Sequence, residues 1–425
     1  AGPHRKLIDA VVPDRPVIIL DEGWHTAWVN SAALDALNVT QDTQDPTPGY
    51  AYYKRDENGD ATGYLLEDVA FDASEILYPV TEDAVVEGLG MMTGVMNGMG
   101  ITTAFDASAK EFDMNFIKRT LDRLAKRGEL TVRIVGAATT DSADDIDSAV
   151  DRAEAWGEHI MGDGFHYTAL KIFSDGTLEA RTAALFEDYQ GNPGNAGHTI
   201  FSEAQLATMM IDAASRGIDV HVHALGERAV HEALNAVSAA REAHPDSPTN
   251  FVLVHIEVIA DQDIPRFAEL GVYAQTSPLW FSYDEYGEQF VSDDQFQRYW
   301  PVRSLEREGA RLAFGSDFPA TGLGIAGMHP LLNIETGHTR QIPGQPDSPV
   351  QPRASERLSL ESLIHGYTLG PAQMLHMEDR VGSIEVGKKA DLVVLDQDIF
   401  VIDVYAIHRT RVLLTVMDGG IVHEL

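Results

Sequence analysis

The chain has 425 residues, enough for one large core with a smaller module beside it, and 44% of them are hydrophobic. Its 66 acidic residues outnumber 31 basic ones, for a formal net charge of -35, which repels phosphate backbones and anionic membrane surfaces. It has no cysteine, which removes disulfides and thiolate metal sites, and no apolar run of about 18 residues, which removes a membrane-spanning helix.

Residues 1–80 are mixed. PVIIL (16–20) reads as a strand and VNSAALDALNV (29–39) as a helix capped by Asn30 or Ser31. The stretch 41–63 is rich in Asp, Pro, Thr and Gly and reads as turns and a hairpin. A regular alternation starts near residue 81, where helix-type periodicity (81–100) leads to the strand ITTAFDA (101–107). The pattern repeats as helix 111–128 then strand 131–139, and helix 142–160 then strand 167–176. After a Gly/Asn-rich loop (191–197) it continues as helix 202–217 with strand 218–225, and helix 226–244 with strand 250–258. Helix 261–271 with strand 272–278 and helix 302–309 with strand 311–317 complete seven βα units. The strands are apolar at consecutive positions, as parallel strands covered on both faces are. A Gly- and Pro-rich loop (321–352), a helix (359–375) and a tail of short strands around a DGG turn (418–420) follow.

This alternation fits a (β/α)₈ barrel or an open doubly wound sheet. No G-x-G-x-x-G follows the early strands, and polar residues recur at strand ends: Asp106, Lys171, His223, His255 and Asp317. The expectation is therefore an α/β fold, a TIM-like barrel whose first strand is missing. Residues 1–80 form a subdomain near its mouth, 81–378 the barrel, and 379–425 a small β-sandwich module.

His223 and His255 are the best candidate metal ligands, because neutral imidazole suits zinc and similar divalent ions. Either alone reads more simply as a satisfied core histidine; two in successive strands, with an aspartate two strands later, favour ligation. His221 shares a face with His223 and reads as a ligand or, preferably, as a barrel-interior residue. Asp317 can bind a metal and move a proton, against the plainer reading of a helix N-cap before Pro319. Lys171 alone is weak evidence: it snorkels or pairs with a carboxylate such as Asp175, and becomes a ligand only if its amine is carboxylated. Arg181 can orient a substrate carboxylate or pair with Glu179 or Asp175. His25, Trp24, Trp28, Trp280 and Phe281 are candidates for a pocket, although aromatic residues are more often core. His25, Arg181 and Trp280 are carried forward as substrate-binding candidates. His365, His376 and His408 read as surface or packing residues.

Taken together, LIDAVVPDRPV, WHTAWVNSAAL, GITTAFDA, KIFSDGTLEARTAAL, HVHALGERAV, HIEVIADQDIPRFAELGV, FGSDFP and GSIEVGKKADLVVLD resemble the amidohydrolase superfamily. Within it they resemble the YtcJ-like group that includes N-substituted formamide deformylases. The resemblance implies a TIM-like barrel with a β-sandwich built from both chain ends. It implies carboxylated Lys171, His223 and His255 as ligands, Asp317 as ligand and general base, and one or two divalent ions, zinc foremost. His25 falls on a family histidine near the substrate pocket. The implied reaction is hydrolysis of an amide or formamide C–N bond, other than a peptide bond, in a small-molecule substrate.

The chain departs from the family pattern in two places. The His-x-His of the first barrel strand is absent, and Glu227 stands where relatives often have Asp. The sequence therefore reads as a fragment, and the alternative function is an inactive or incomplete version of the fold acting as a binding or scaffold protein. A lyase or isomerase is a weaker third reading. The expected partners are a small molecule and at most a second copy of the chain, with neither nucleic acid nor membrane, and the expected location is the cytoplasm rather than outside the cell.

Overall fold

A computed structural model describes residues 3–21, 23–107 and 112–425. Near the N-terminus lies a four-stranded antiparallel sheet of β1 (Ile18–Leu20), β2 (Thr26–Val29), β3 (Tyr52–Arg55) and β4 (Ala61–Leu66), in the order β1-β2-β4-β3. The helix expected at 29–39 is shorter, Ser31–Ala36, because Val29 belongs to β2. Asn30 caps it, accepting from the Ala33 N–H.

The central sheet follows the βα reading. Its parallel strands are β5 (Thr103–Asp106), β6 (Arg133–Thr140), β8 (Phe165–Phe173), β9 (Asp219–Ala224), β10 (Phe251–His255), β11 (Tyr273–Thr276) and β12 (Arg311–Phe314). They pair in chain order from β5 to β12, and a two-residue strand, β7 (Met161–Gly162), pairs antiparallel with β8. The sheet is strongly curled. The Phe105 ring of β5 lies 5.0 Å from that of His221 on β9, three strands away, whereas a flat sheet would separate them by roughly 14 Å. Among the described residues β5 and β12 do not pair with each other, so seven strands of the TIM-like pattern leave an opening between them.

The helices around the sheet are set by their ends. Ser202 and Gln205 form a capping box for Glu203–Arg216, and Gly217 at φ 69° ends that helix. Asp113 caps Met114–Arg127, which stops at Gly128 with φ 68°. Glu111, the first residue of the expected helix 111–128, lies outside the described residues. The expected helix 359–375 is two, Leu360–Tyr367 and Leu369–Met374. Thr368 breaks it at ψ -85°, three residues before Pro371. One large apolar cluster joins the inner strands to these helices, with Leu170, Val222, Leu253, Phe267 and Leu363 fully buried in it. No helix among the described residues is long and apolar enough to cross a membrane.

The tail forms a three-stranded antiparallel sheet of β13 (Leu392–Leu395), β14 (Val412–Met417) and β15 (Gly420–Glu424). Asp418 and Gly419, at φ 50° and 81°, make the tight turn that DGG announces. Arg133 of β6 pairs with Asp391 just before β13, which ties the tail to the barrel.

Candidate active site

The curl brings the polar strand ends to one mouth. Lys171 and His221 sit opposite each other in register on β8 and β9, as do Phe173 and His223. Lys171 is 3% exposed. Its Nζ lies 3.4 Å from His221 Nδ1 and 5.0 Å from the centre of the Phe173 ring. Burial pulls its pKa down to about 7, with Asp317 pulling the other way. A substantial fraction of neutral amine is therefore available near neutrality.

His223 and His255 meet edge to face, with ring centres 4.5 Å apart. Burial holds both well below the ordinary imidazole range, helped for His223 by His255 and for His255 by Lys171, so both are neutral. His223 Nε2 lies 3.2 Å from the Gly176 carbonyl, and its Nδ1 is buried with no partner. His221 Nε2 is likewise buried without a partner. An unpartnered buried nitrogen costs about 1–3 kcal/mol unless something binds it.

His255 ends β10 at φ 75°, and Ile256 follows at φ 48°, so the strand stops three residues earlier than the sequence pattern suggests. That turn aims His255 towards Asp317, whose Oδ2 is 3.9 Å from His255 Nδ1. Asp317 lies beyond β12 at φ 54°, and no helix begins there, so it is not an N-cap. Its side chain is 36% exposed, open to the mouth. The protein packed behind it raises its carboxyl above the ordinary value, against Lys171.

Asp175 is not the partner of Lys171. It is fully buried and accepts the N–H groups of Ala184, Leu225 and Gly226 at 2.9, 3.0 and 2.9 Å. Burial raises it to about 7 against these three donors. Glu227 is also structural, accepting from Gln295 at 2.9 Å and from Arg298.

His25 reaches the same mouth from the N-terminal sheet, its ring 5.9 Å from that of His223. Burial would lower its pKa, but Glu67, 2.5 Å from Nδ1, carries it up to about 9. Trp280 is half-buried, 5.7 Å from His255, and walls one side. Arg181 stacks over Phe290 at 5.2 Å and, among the described residues, pairs with neither Glu179 nor Asp175. Phe281 is core, while Trp24 stays 39% exposed. His376 bonds Asp219 and His408 bonds Glu335, as packing residues do.

Lys171, His221, His223, His255, Asp317, His25 and Trp280 are thus assembled around one mouth, whereas Arg181 is turned onto Phe290. Among the described residues no three histidine or carboxylate side chains form a closed ion cage. Glu67 lies in none of the stretches that carry the resemblance, and nothing in KIFSDGTLEARTAAL marks the Thr182 hydroxyl as its partner. Only the acid at the end of an apolar strand, YLLE (64–67), hints at the first.

Residues 1–423 match the amidohydrolase family. YtcJ of Bacillus subtilis, named as an amidohydrolase, is 29% identical over 98% of this chain and 76% of its own length. The N-substituted formamide deformylase of Arthrobacter pascens is 27% identical over 100% and 76%. Among solved structures, a metal-dependent hydrolase of Pyrococcus horikoshii superposes with a TM-score of 0.70 at 23% identity, over 95% of this chain and 75% of its own. The curled parallel sheet, the polar strand ends at its mouth and these matches agree: the chain belongs to the amidohydrolase family.

Proposed function

We propose that the protein is a metal-dependent hydrolase of amide- or formamide-type C–N bonds in small molecules, other than peptide bonds. One observation carries the reading: Lys171, His223, His255 and Asp317 converge at the C-terminal mouth, where the buried Nδ1 of His223 has no protein partner. This donor set fits a divalent ion. Two neutral imidazoles and a carboxylate are ordinary ligands for zinc, and Lys171, near neutrality, is poised to be carboxylated into an anionic fourth. One or two such ions, when bound, polarise a carbonyl and lower the pKa of water. His223 and His255 stay neutral and so keep lone pairs to offer.

Asp317, open to the mouth, takes a proton from the attacking water on its carboxylate and returns it to the leaving nitrogen. Trp280 excludes water from one side of the bound substrate. The family resemblance and the deformylase relative support formamides as the first substrates to try.

A second reading, a binding or scaffold protein, is favoured by two features of the described residues, the lack of a closed ion cage and the opening between β5 and β12. Turnover separates the two. The zinc-supplied chain is assayed against a panel of N-substituted formamides, linear amides and cyclic amides, beside Asp317→Asn. Hydrolysis that disappears in the variant while its circular dichroism stays unchanged supports the proposal. Equal rates in both proteins remove Asp317 from the mechanism, and no hydrolysis of any substrate favours the scaffold.

A further inference from the structure

Glu67 ties the N-terminal sheet to the mouth. It follows β4 at φ 57° and is 1% exposed. A non-glycine residue in that region is uncommon and persists only where its surroundings fix it. Three bonds do so. Its N–H donates to the His25 carbonyl at 2.7 Å. Its Oε2 lies 2.5 Å from His25 Nδ1. Its Oε1 accepts the Thr182 hydroxyl at 2.5 Å.

Thr182 belongs to the loop after β8, the strand that carries Lys171. The loop is closed against Glu67: a Cβ on Gly176 would lie 2.1 Å from Thr182 Oγ1 and 2.5 Å from Glu67 Oε1. One carboxylate therefore bridges the residue before β2 to the loop after β8. The His25 ring is also held edge-on by Phe71, with centres 5.9 Å apart. With Nδ1 committed to Glu67, Nε2 is the nitrogen left for the mouth.

We propose that Glu67 is a positioning residue: it fixes His25 so that Nε2 faces the Lys171, His223, His255 and Asp317 mouth and the substrate there, and Thr182 holds Glu67 in turn. The kinetic consequence rests on the hydrolase reading; the orientation of His25 does not. A carboxylate that donates nothing and receives a histidine N–H holds the proton on that nitrogen and fixes the orientation of the ring, as carboxylates behind functional histidines do. A mere anchor for the N-terminal sheet would contribute stability without acting through His25.

The experiment compares the full chain with Glu67→Gln, Thr182→Val and His25→Asn. Protein labelled with ¹⁵N-histidine is read by NMR for a downfield imidazole N–H proton, assigned to His25 by its loss in His25→Asn. The expected result is that Glu67→Gln moves this signal upfield and weakens it, and that Thr182→Val, which leaves Glu67 in place, moves it in the same direction by less. An unchanged signal in Glu67→Gln overturns the proposal. Should Glu67→Gln fail to fold, Thr182→Val decides by the same criterion.

With any substrate that turns over, Glu67→Gln lowers kcat on the order of 10–100-fold and changes KM less. The double variant Glu67→Gln/His25→Asn is no slower than His25→Asn alone. Independent, additive losses overturn the proposal. If nothing turns over, the hydrolase reading fails by itself, and the NMR signal still decides the role of Glu67.

Discussion

Replacing Asp175 by alanine removes the sole carboxylate behind three buried N–H groups. Ala184 and Gly226 donate to Oδ2 and Leu225 to Oδ1, all within 3.0 Å, and the side chain is fully buried. The chain is tight here: a Cβ on Gly226 would lie 2.0 Å from the Ala184 carbonyl oxygen. The backbone therefore cannot shift to offer these donors another acceptor. Each buried N–H left unmade costs about 1–3 kcal/mol, so three cost roughly 3–9 kcal/mol. A water entering the vacated volume satisfies one of them, which brings the expected loss to about 2–6 kcal/mol. Urea denaturation measures the total, and amide exchange at Ala184, Leu225 and Gly226 locates it. A loss below about 1 kcal/mol, or unchanged protection at all three amides, would refute the assignment.

Three further predictions concern the frame around the mouth. Arg298→Ala leaves Glu227, 3% exposed, with Gln295 and one long backbone contact, and should cost about 3 kcal/mol in a denaturant titration; a cost under about 1 kcal/mol would show the pair to be dispensable. Gly136→Ala puts a methyl 2.3 Å from the buried Tyr167 ring and should cost at least about 1–3 kcal/mol, so an unchanged midpoint would contradict the packing. His376 is held above its ordinary value of 6.5 by the hydrogen bond to Asp219, against burial that lowers it. Its stabilising contribution is therefore complete below 6.5 and lost as the pH rises through the raised folded value. Its side chain is 48% exposed, which keeps the contribution under about 1 kcal/mol. His376→Ala should reduce the loss of urea stability between about pH 5.5 and about pH 9; a loss as large as wild type would sink the assignment.

Periodicity is local, so the βα alternation was legible: all seven parallel strands lie where apolar runs place them. The DGG turn and the Asn30 cap were legible for the same reason, since short-range backbone chemistry decides them. What stayed hidden depends on contacts distant in sequence. Glu67 meets Thr182 across 115 positions, and no spacing rule joins them. Asp175 looked like a counter-ion for nearby Lys171, yet three backbone amides claim it, one from its own loop and two from the loop after β9. The expected helix 29–39 lost its start to β2 because Val29 pairs with Ile18 of β1. The expected strand 250–258 stops at His255, where positive φ at two consecutive residues bends the chain into the mouth. The set Lys171, His223, His255 and Asp317 was readable as polar residues ending apolar strands. The unpartnered nitrogens of His221 and His223 became visible only once the sheet was curled.

The metal content of the purified chain, measured by mass spectrometry beside His255→Ala, tests the central claim most directly. The donor set predicts a divalent ion, zinc foremost, bound in near-stoichiometric amount by the wild-type chain and clearly depleted in the variant. No bound ion in the wild type supplied with zinc, or equal content in both proteins, would contradict the claim.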